Sequence, residues 1–235
     1  STKGIARIIG SNATLTAQSA AMCNAYQMHN SEFDCFHEDA VVHPLTCVLA
    51  TCLAEIDKLT LSRENTITGK HLIQAVTIGV DVACNIGIAS QTGLRFFRPG
   101  TCGAFGATAA IGVLRGFKKK EMVNAFGIVF AQMCGTMQAH TEGSPLLGMQ
   151  MGFNARNAII ACDIARQGIP APSHILEGPF GYFKLFEGKY NFNNILTNLG
   201  KNWRIDEISH KPFPSGRATH GIVDACLRLR EKYNI

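Results

Sequence analysis

From residue 11 to residue 200 the chain offers a series of segments with helical periodicity and no run in which apolar and polar residues alternate. Strands half-buried in a sheet need that alternation, and amphipathic helices need apolar residues every three or four positions. This feature narrows the fold to an all-α, multi-helix body. Ser11-Asn12 reads as a helix cap before residues 13–29, and Pro44 opens a helix to about residue 59. Thr68 caps a third helix, from Gly69 to about Ser90. Residues 103–112 are almost all small, so that helix admits close neighbours and belongs at the centre of a bundle. Residues 121–134 form an amphipathic helix, 135–152 read as an irregular Gly- and Met-rich stretch, and 153–167 as a helix stopped by Gly168. Residues 175–186 suit two short turns, and 192–199 a short helix.

The texture changes at Trp203. Residues 203–209 alternate like a strand, Lys211-Pro212-Phe213-Pro214 is held extended by its prolines, and a last helix follows Thr219. A helical domain over 1–204 and the start of a smaller α/β domain over 205–235 are therefore expected. The chain begins Ser-Thr-Lys and ends just after a helical pattern, as a fragment of a longer protein would. The helices at 45–59 and 103–112 are apolar on most sides and call for partners. Asp81, mid-helix among apolar residues, needs a partner if buried, either as a structural anchor or as a site residue.

Chemistry concentrates in residues 31–43, where Glu32, Asp34, Glu38, Asp39, His37 and His43 crowd together although only 17% of the chain is charged. A nearly uncharged helix follows at once. Polar density beside a buried run marks the mouth of a site, although a solvated loop would look similar. Pro44 fixes His43 at the helix start, whereas His37 can equally be a solvated loop residue. Later, Arg98-Pro99-Gly100-Thr101 opens the small-residue helix. Its backbone N–H groups at Gly100 and Thr101, with Arg98 beside them, could hold a carboxylate, or Arg98 could be a surface residue at a tight turn.

Composition removes other classes. The net charge of +5 is modest and the basic residues are scattered, with no aromatic-and-basic stripe for nucleic acid. Residues 72–89 are apolar but interrupted by Gln74, Asp81 and Asn85, which suits a buried helix better than a membrane span. The nine cysteines form no Cys-x-x-Cys pair and lack histidines at ligand spacing, so neither zinc nor a disulfide framework is expected. Cysteine used as a small hydrophobe fits a reducing compartment, the cytoplasm or, in a eukaryote, the mitochondrial matrix.

Several stretches taken in order resemble the MmgE/PrpD family: residues 32–44 ending in His-Pro, then 97–107, then Leu176-Glu177-Gly178 with Phe180-Gly181-Tyr182-Phe183, and finally Lys211 to Pro214 leading to Arg217 and Thr219-His220. The resemblance implies a large helical domain with a smaller α/β lid, a homodimer, and no metal or organic cofactor. It implies an enzyme of the lyase or isomerase kind (dehydratase, decarboxylase or epimerase) acting on a small di- or tricarboxylate. A helical scaffold without catalysis is the alternative of another class. The family's histidine falls on His43, its acidic residue on Glu32 or Asp34, and its lid arginine and histidine on Arg217 and His220. The decarboxylases' histidine and lysine fall on Phe97 and near Leu147, which argues against decarboxylation of aconitate. The resulting expectation places His43 and His220 as proton carriers, with Glu32 or Asp34 orienting a histidine and His37 as a further candidate. Arg98 and Arg217, with Gly100 and Thr101, would hold carboxylates. His43, Arg98 and His220 are expected to face one cleft.

Overall fold

The computed structural model describes residues 4–62 and 66–235. It is a helical bundle, with an antiparallel ribbon of β1 (Ala6–Arg7) and β2 (Thr14–Leu15) at its start. The ribbon's second strand occupies residues expected to open the first helix. Ser11 turns the chain instead, its hydroxyl accepting from Ala13 N at 3.1 Å, and α1 (Ala17–Asn30) is capped by Thr16. The helices α2 (Pro44–Ser62), α3 (Gly69–Ala89), α4 (Arg98–Leu114) and α5 (Lys119–Phe130) follow. At the start of α3, Thr68 N donates to His71 Nδ1 at 3.1 Å.

The small-residue helix is the axis of the bundle. α4 starts five residues earlier than residue 103, at Arg98, and nearly all of it is buried. It packs against α2, α3, α5 and α7 (Leu146–Arg166). Glycines let these backbones meet: a Cβ on Gly79 of α3 would lie 2.8 Å from the carbonyl oxygen of Gly106. The apolar faces of α2 and α4 are thus largely covered by this chain's own helices. α3 is long and apolar enough to cross a membrane by composition, and here it is packed against α2 and α4.

The Gly- and Met-rich stretch is more ordered than its composition suggests. It contains α6 (Gln138–Thr141) and the first turns of α7, which begins at Leu146 rather than Phe153. Its glycines serve a helix crossing: a Cβ on Gly148 would stand 3.2 Å from the Tyr26 ring, and one on Gly152 2.6 Å from Met22 O of α1. Residues 183–187 form a turn of π-helix, followed by α8 (Asn193–Asn198).

The strand expected at 203–209 is absent. Arg204–Glu207 is a turn of 3₁₀-helix, and only Ser209 makes a β-bridge, to Phe36. The bend has a cause on α3. Arg204 N donates to Asp81 at 3.2 Å and Arg204 Nε to Asn85 at 3.1 Å, which captures the segment before it can extend. Asp81 is thus a structural anchor. The chain ends in α9 (His220–Tyr233), which has no buried residue and exposes Ile222 and Leu229.

Candidate active site

The acidic loop becomes a site because two other segments close on it. Phe36 N donates to Ser209 O at 3.0 Å and Ser209 N returns the bond at 2.8 Å, pinning the loop to the C-terminal segment. His37 and Val42 form a second bridge, around a turn in which Val41 has a φ of 53°. Glu32 has a φ of 52°, so two non-glycine residues of this loop occupy the left-handed region. Such conformations cost about 1–3 kcal/mol each and persist where surrounding contacts over-determine them.

Asp34 is the hub beneath the loop. One of its oxygens accepts from His29 Nδ1 at 2.8 Å and from Thr46 Oγ1 at 2.7 Å. The other lies 3.2 Å from Lys211 Nζ and 3.3 Å from His43 Nδ1. Burial opposes ionisation of Asp34, but hydrogen bonds from His29 and His43 outweigh it and hold the carboxyl far below the usual carboxylate range. Lys211 Nζ also donates to Glu32 Oε2 at 2.7 Å and to Glu32 O at 3.1 Å, so its ammonium is spent inside the protein.

His43 Nδ1 lies 3.0 Å from the Cys35 carbonyl. A carbonyl only accepts, so Nδ1 carries the hydrogen and Nε2 is the basic nitrogen. The ring is wedged beside His29 at 4.9 Å between centroids, and His29 packs on Phe97 at 5.7 Å.

His43 lines a cavity of about 380 Å³, together with Glu32, His37, Phe97, Leu147 and Arg217 among others. The volume lies within the usual range of small-molecule sites, about 300–1,000 Å³. A second cavity, of about 330 Å³, shares Glu32, His140 and Leu147 with it. Arg217 is ion-paired with Glu38, and its guanidinium lies 5.8 Å from the Phe36 ring centre. His37 is held at both nitrogens, accepting from Ala40 N at 3.2 Å and facing Glu207 Oε2 at 2.9 Å.

Other expected site residues are elsewhere. Arg98 is buried and forms a bidentate pair with Glu187, Nε at 3.1 Å and Nη2 at 2.8 Å, with further bonds to Ser90 and the Thr92 carbonyl. Its charge is used internally and is not available to a substrate carboxylate. Gly100 and Thr101 are buried with it. Their N–H groups turn back to Phe97 O at 2.9 and 3.2 Å, and the Thr101 hydroxyl meets Tyr182 Oη at 2.9 Å. The α4 start is therefore a packed corner, and the expectation of a carboxylate there is corrected. His220 does not line the cavity; its Nε2 donates to Ser215 O at 3.1 Å and its ring packs on Phe213. The cleft expected to join His43, Arg98 and His220 is not formed. Of the two acids, Glu32 lines the cavity and Asp34 lies behind it, touching the ring of His43.

His29, Asp34 and His43 place ligand-type atoms within 4.8 Å of one another. Their chemistry does not suit a metal ion: Lys211 already brings a cation to Asp34, and His43 Nδ1 is a donor to a carbonyl. The thiol beside the site is inert as a nucleophile, since burial pushes Cys35 up to about 11.

A helical bundle whose acidic loop presents an oriented histidine to a small cavity has the form of a small-molecule site. The MmgE/PrpD N-terminal domain matches residues 1–194, and the chain belongs to this family. It is 31% identical to the cis-aconitate decarboxylase of Aspergillus terreus (strain NIH 2624 / FGSC A1156), over 98% of this chain and 49% of that protein. It is 26% identical to the cis-aconitate decarboxylase-like protein oryM of Aspergillus oryzae (strain ATCC 42149 / RIB 40), over 98% of this chain and 50% of that protein. The chain thus spans about half the length of the curated relatives it matches.

Proposed function

We propose that this chain supplies the proton-transfer half of a cofactor-independent lyase, of the dehydratase kind, acting on a small di- or tricarboxylate. The observation that carries the reading is His43, its Nδ1–H fixed on the Cys35 carbonyl beside ionised Asp34 at the wall of the cavity. In that arrangement Nε2 takes a proton from the carbon next to a substrate carboxylate. The imidazolium formed is stabilised by Asp34, and it returns the proton to the hydroxyl that leaves from the adjacent carbon as water. Among the described lining residues Arg217 is the arginine for a carboxylate, and would turn from Glu38 to bind one.

An epimerase with His43 and His220 as opposed bases has less support, because His220 is bonded to its own loop. Decarboxylation, the activity in the relatives' names, has less support here too, since Phe97 and Leu147 bring apolar side chains to the cavity wall. The test is His43→Gln in the full-length protein, assayed on hydroxy acids by ultraviolet absorbance of the double bond formed. Turnover is expected to fall about 100-fold or more with the fold unchanged; near-normal turnover would remove His43 from the mechanism.

A further inference from the structure

Two sets of residues line the cavity. One carries the charges: the acidic loop, bridged to Ser209, brings Glu32, Glu38 and His43 beside Phe36 and Val42, with Arg217 beyond it. The other is mainly apolar, with His140 at its edge, and equally fixed. Phe97 N donates to Gly135 O at 3.0 Å and Met137 N to Arg95 O at 3.1 Å, so the segments carrying Leu94, Phe97 and Met137 are paired backbone to backbone. Leu147, from the first turn of α7, adds to the apolar lining.

Charge bears on what can enter. On the lining, Glu32 and Glu38 stand against Arg217, and behind it Asp34 stands against Lys211, leaving one acid in excess. Of the lining histidines, His37 is committed to Glu207 and His43 offers one nitrogen, while His140 is exposed. Among the described lining residues a trianion would find one arginine for three carboxylates and would press at least one of them against hydrocarbon, where an unpaired charge is costly. An alkyl group there would instead gain from burial.

We infer that the substrate carries no more than two carboxylates and has an uncharged alkyl arm where a tricarboxylate has its third, the arm lying on Leu94, Phe97, Met137 and Leu147. This narrows the acid class of the proposed function and rests on that reading. Calorimetric titration of the full-length protein with maleate, 2-methyl-, 2-ethyl- and 2-propylmaleate, and cis-aconitate tests it without relying on turnover. Affinity is expected to rise about fourfold for each added carbon, the equivalent of about 0.8 kcal/mol per buried methylene. 2-Propylmaleate should bind at least about tenfold tighter than cis-aconitate, its charged counterpart. Leu147→Lys, checked for fold by circular dichroism, should tighten cis-aconitate about tenfold and flatten the alkyl series. If cis-aconitate binds wild type as tightly as 2-propylmaleate, the alkyl arm is wrong and the polycarboxylate reading stands. If none of these acids binds the folded protein, the polycarboxylate reading falls, and the alkyl arm with it.

Discussion

Asp34 shows how one side chain can serve stability and chemistry together. Its carboxyl is held far below the usual range by bonded histidines, so it stabilises the fold as an anion. Unfolded aspartate titrates near about 3.9. The contribution is therefore fully present above that value and is lost as pH falls below it toward the depressed folded value. Asp34→Asn should cost about 3 kcal/mol at neutral pH, the scale of a broken buried ion pair. Urea titrations at several pH values should show this gap constant above about pH 5 and shrinking below about pH 4; a gap that widens in acid would refute the assignment. At this scale the sequence was partly legible. The crowding of 31–43 located the loop, and Pro44 located His43. Arg98 was misplaced because its partner, Glu187, lies 89 positions away. Lys211 was passed over because nothing in Lys-Pro-Phe-Pro says that the ammonium turns inward, and His29 because a lone histidine ending a helix has no neighbour in sequence to mark its role.

Between elements, the α3–α4 crossing is one of close backbone approach. A Cβ on Gly106 would fall on the Gly79 carbonyl oxygen, with Ala83 Cβ at 2.9 Å and Val48 Cγ2 at 3.1 Å. Gly106→Ala should therefore destabilise by about 1–3 kcal/mol despite alanine's better helix propensity, because the backbones must separate. Gly69→Ala, with nothing within 4 Å at the start of α3, should be neutral or gain up to about 1 kcal/mol. Thermal melts of the two variants separate packing from propensity. Helices were the legible elements, since periodicity, caps and Pro44 are local. The 203–209 segment was not, because its alternation is real but Asp81 and Asn85 seize Arg204 and bend it. Nor was the start of α7, whose glycines mark a close crossing with α1 and not a loop.

Across the whole molecule, order is uneven. α4 is enclosed by α2, α3, α5 and α7, whereas α9 has no buried residue. Amide hydrogen exchange of this chain should be slowest in α4 and the facing turns of α3, and fastest in α9; protection of α9 equal to that of α4 would contradict this. The all-helical body was visible from periodicity alone, whereas the closing of distant segments on the loop was not. That closing has its own consequence. The C-terminal segment joins the loop through the Phe36–Ser209 bridge and through side-chain partners: Glu207 with His37, Lys211 with Glu32 and Asp34, Arg217 with Glu38. The facing wall depends on none of these. Arg204 and Lys211 tie this segment to Asp81, Asn85 and Asp34 and so hold the fold, whereas Arg217 is exposed, and an exchange of its charge changes what the cavity meets with little disturbance to the bundle. The helices are a chassis, and the charge that Arg217 brings to the cavity is a fitting bolted to it.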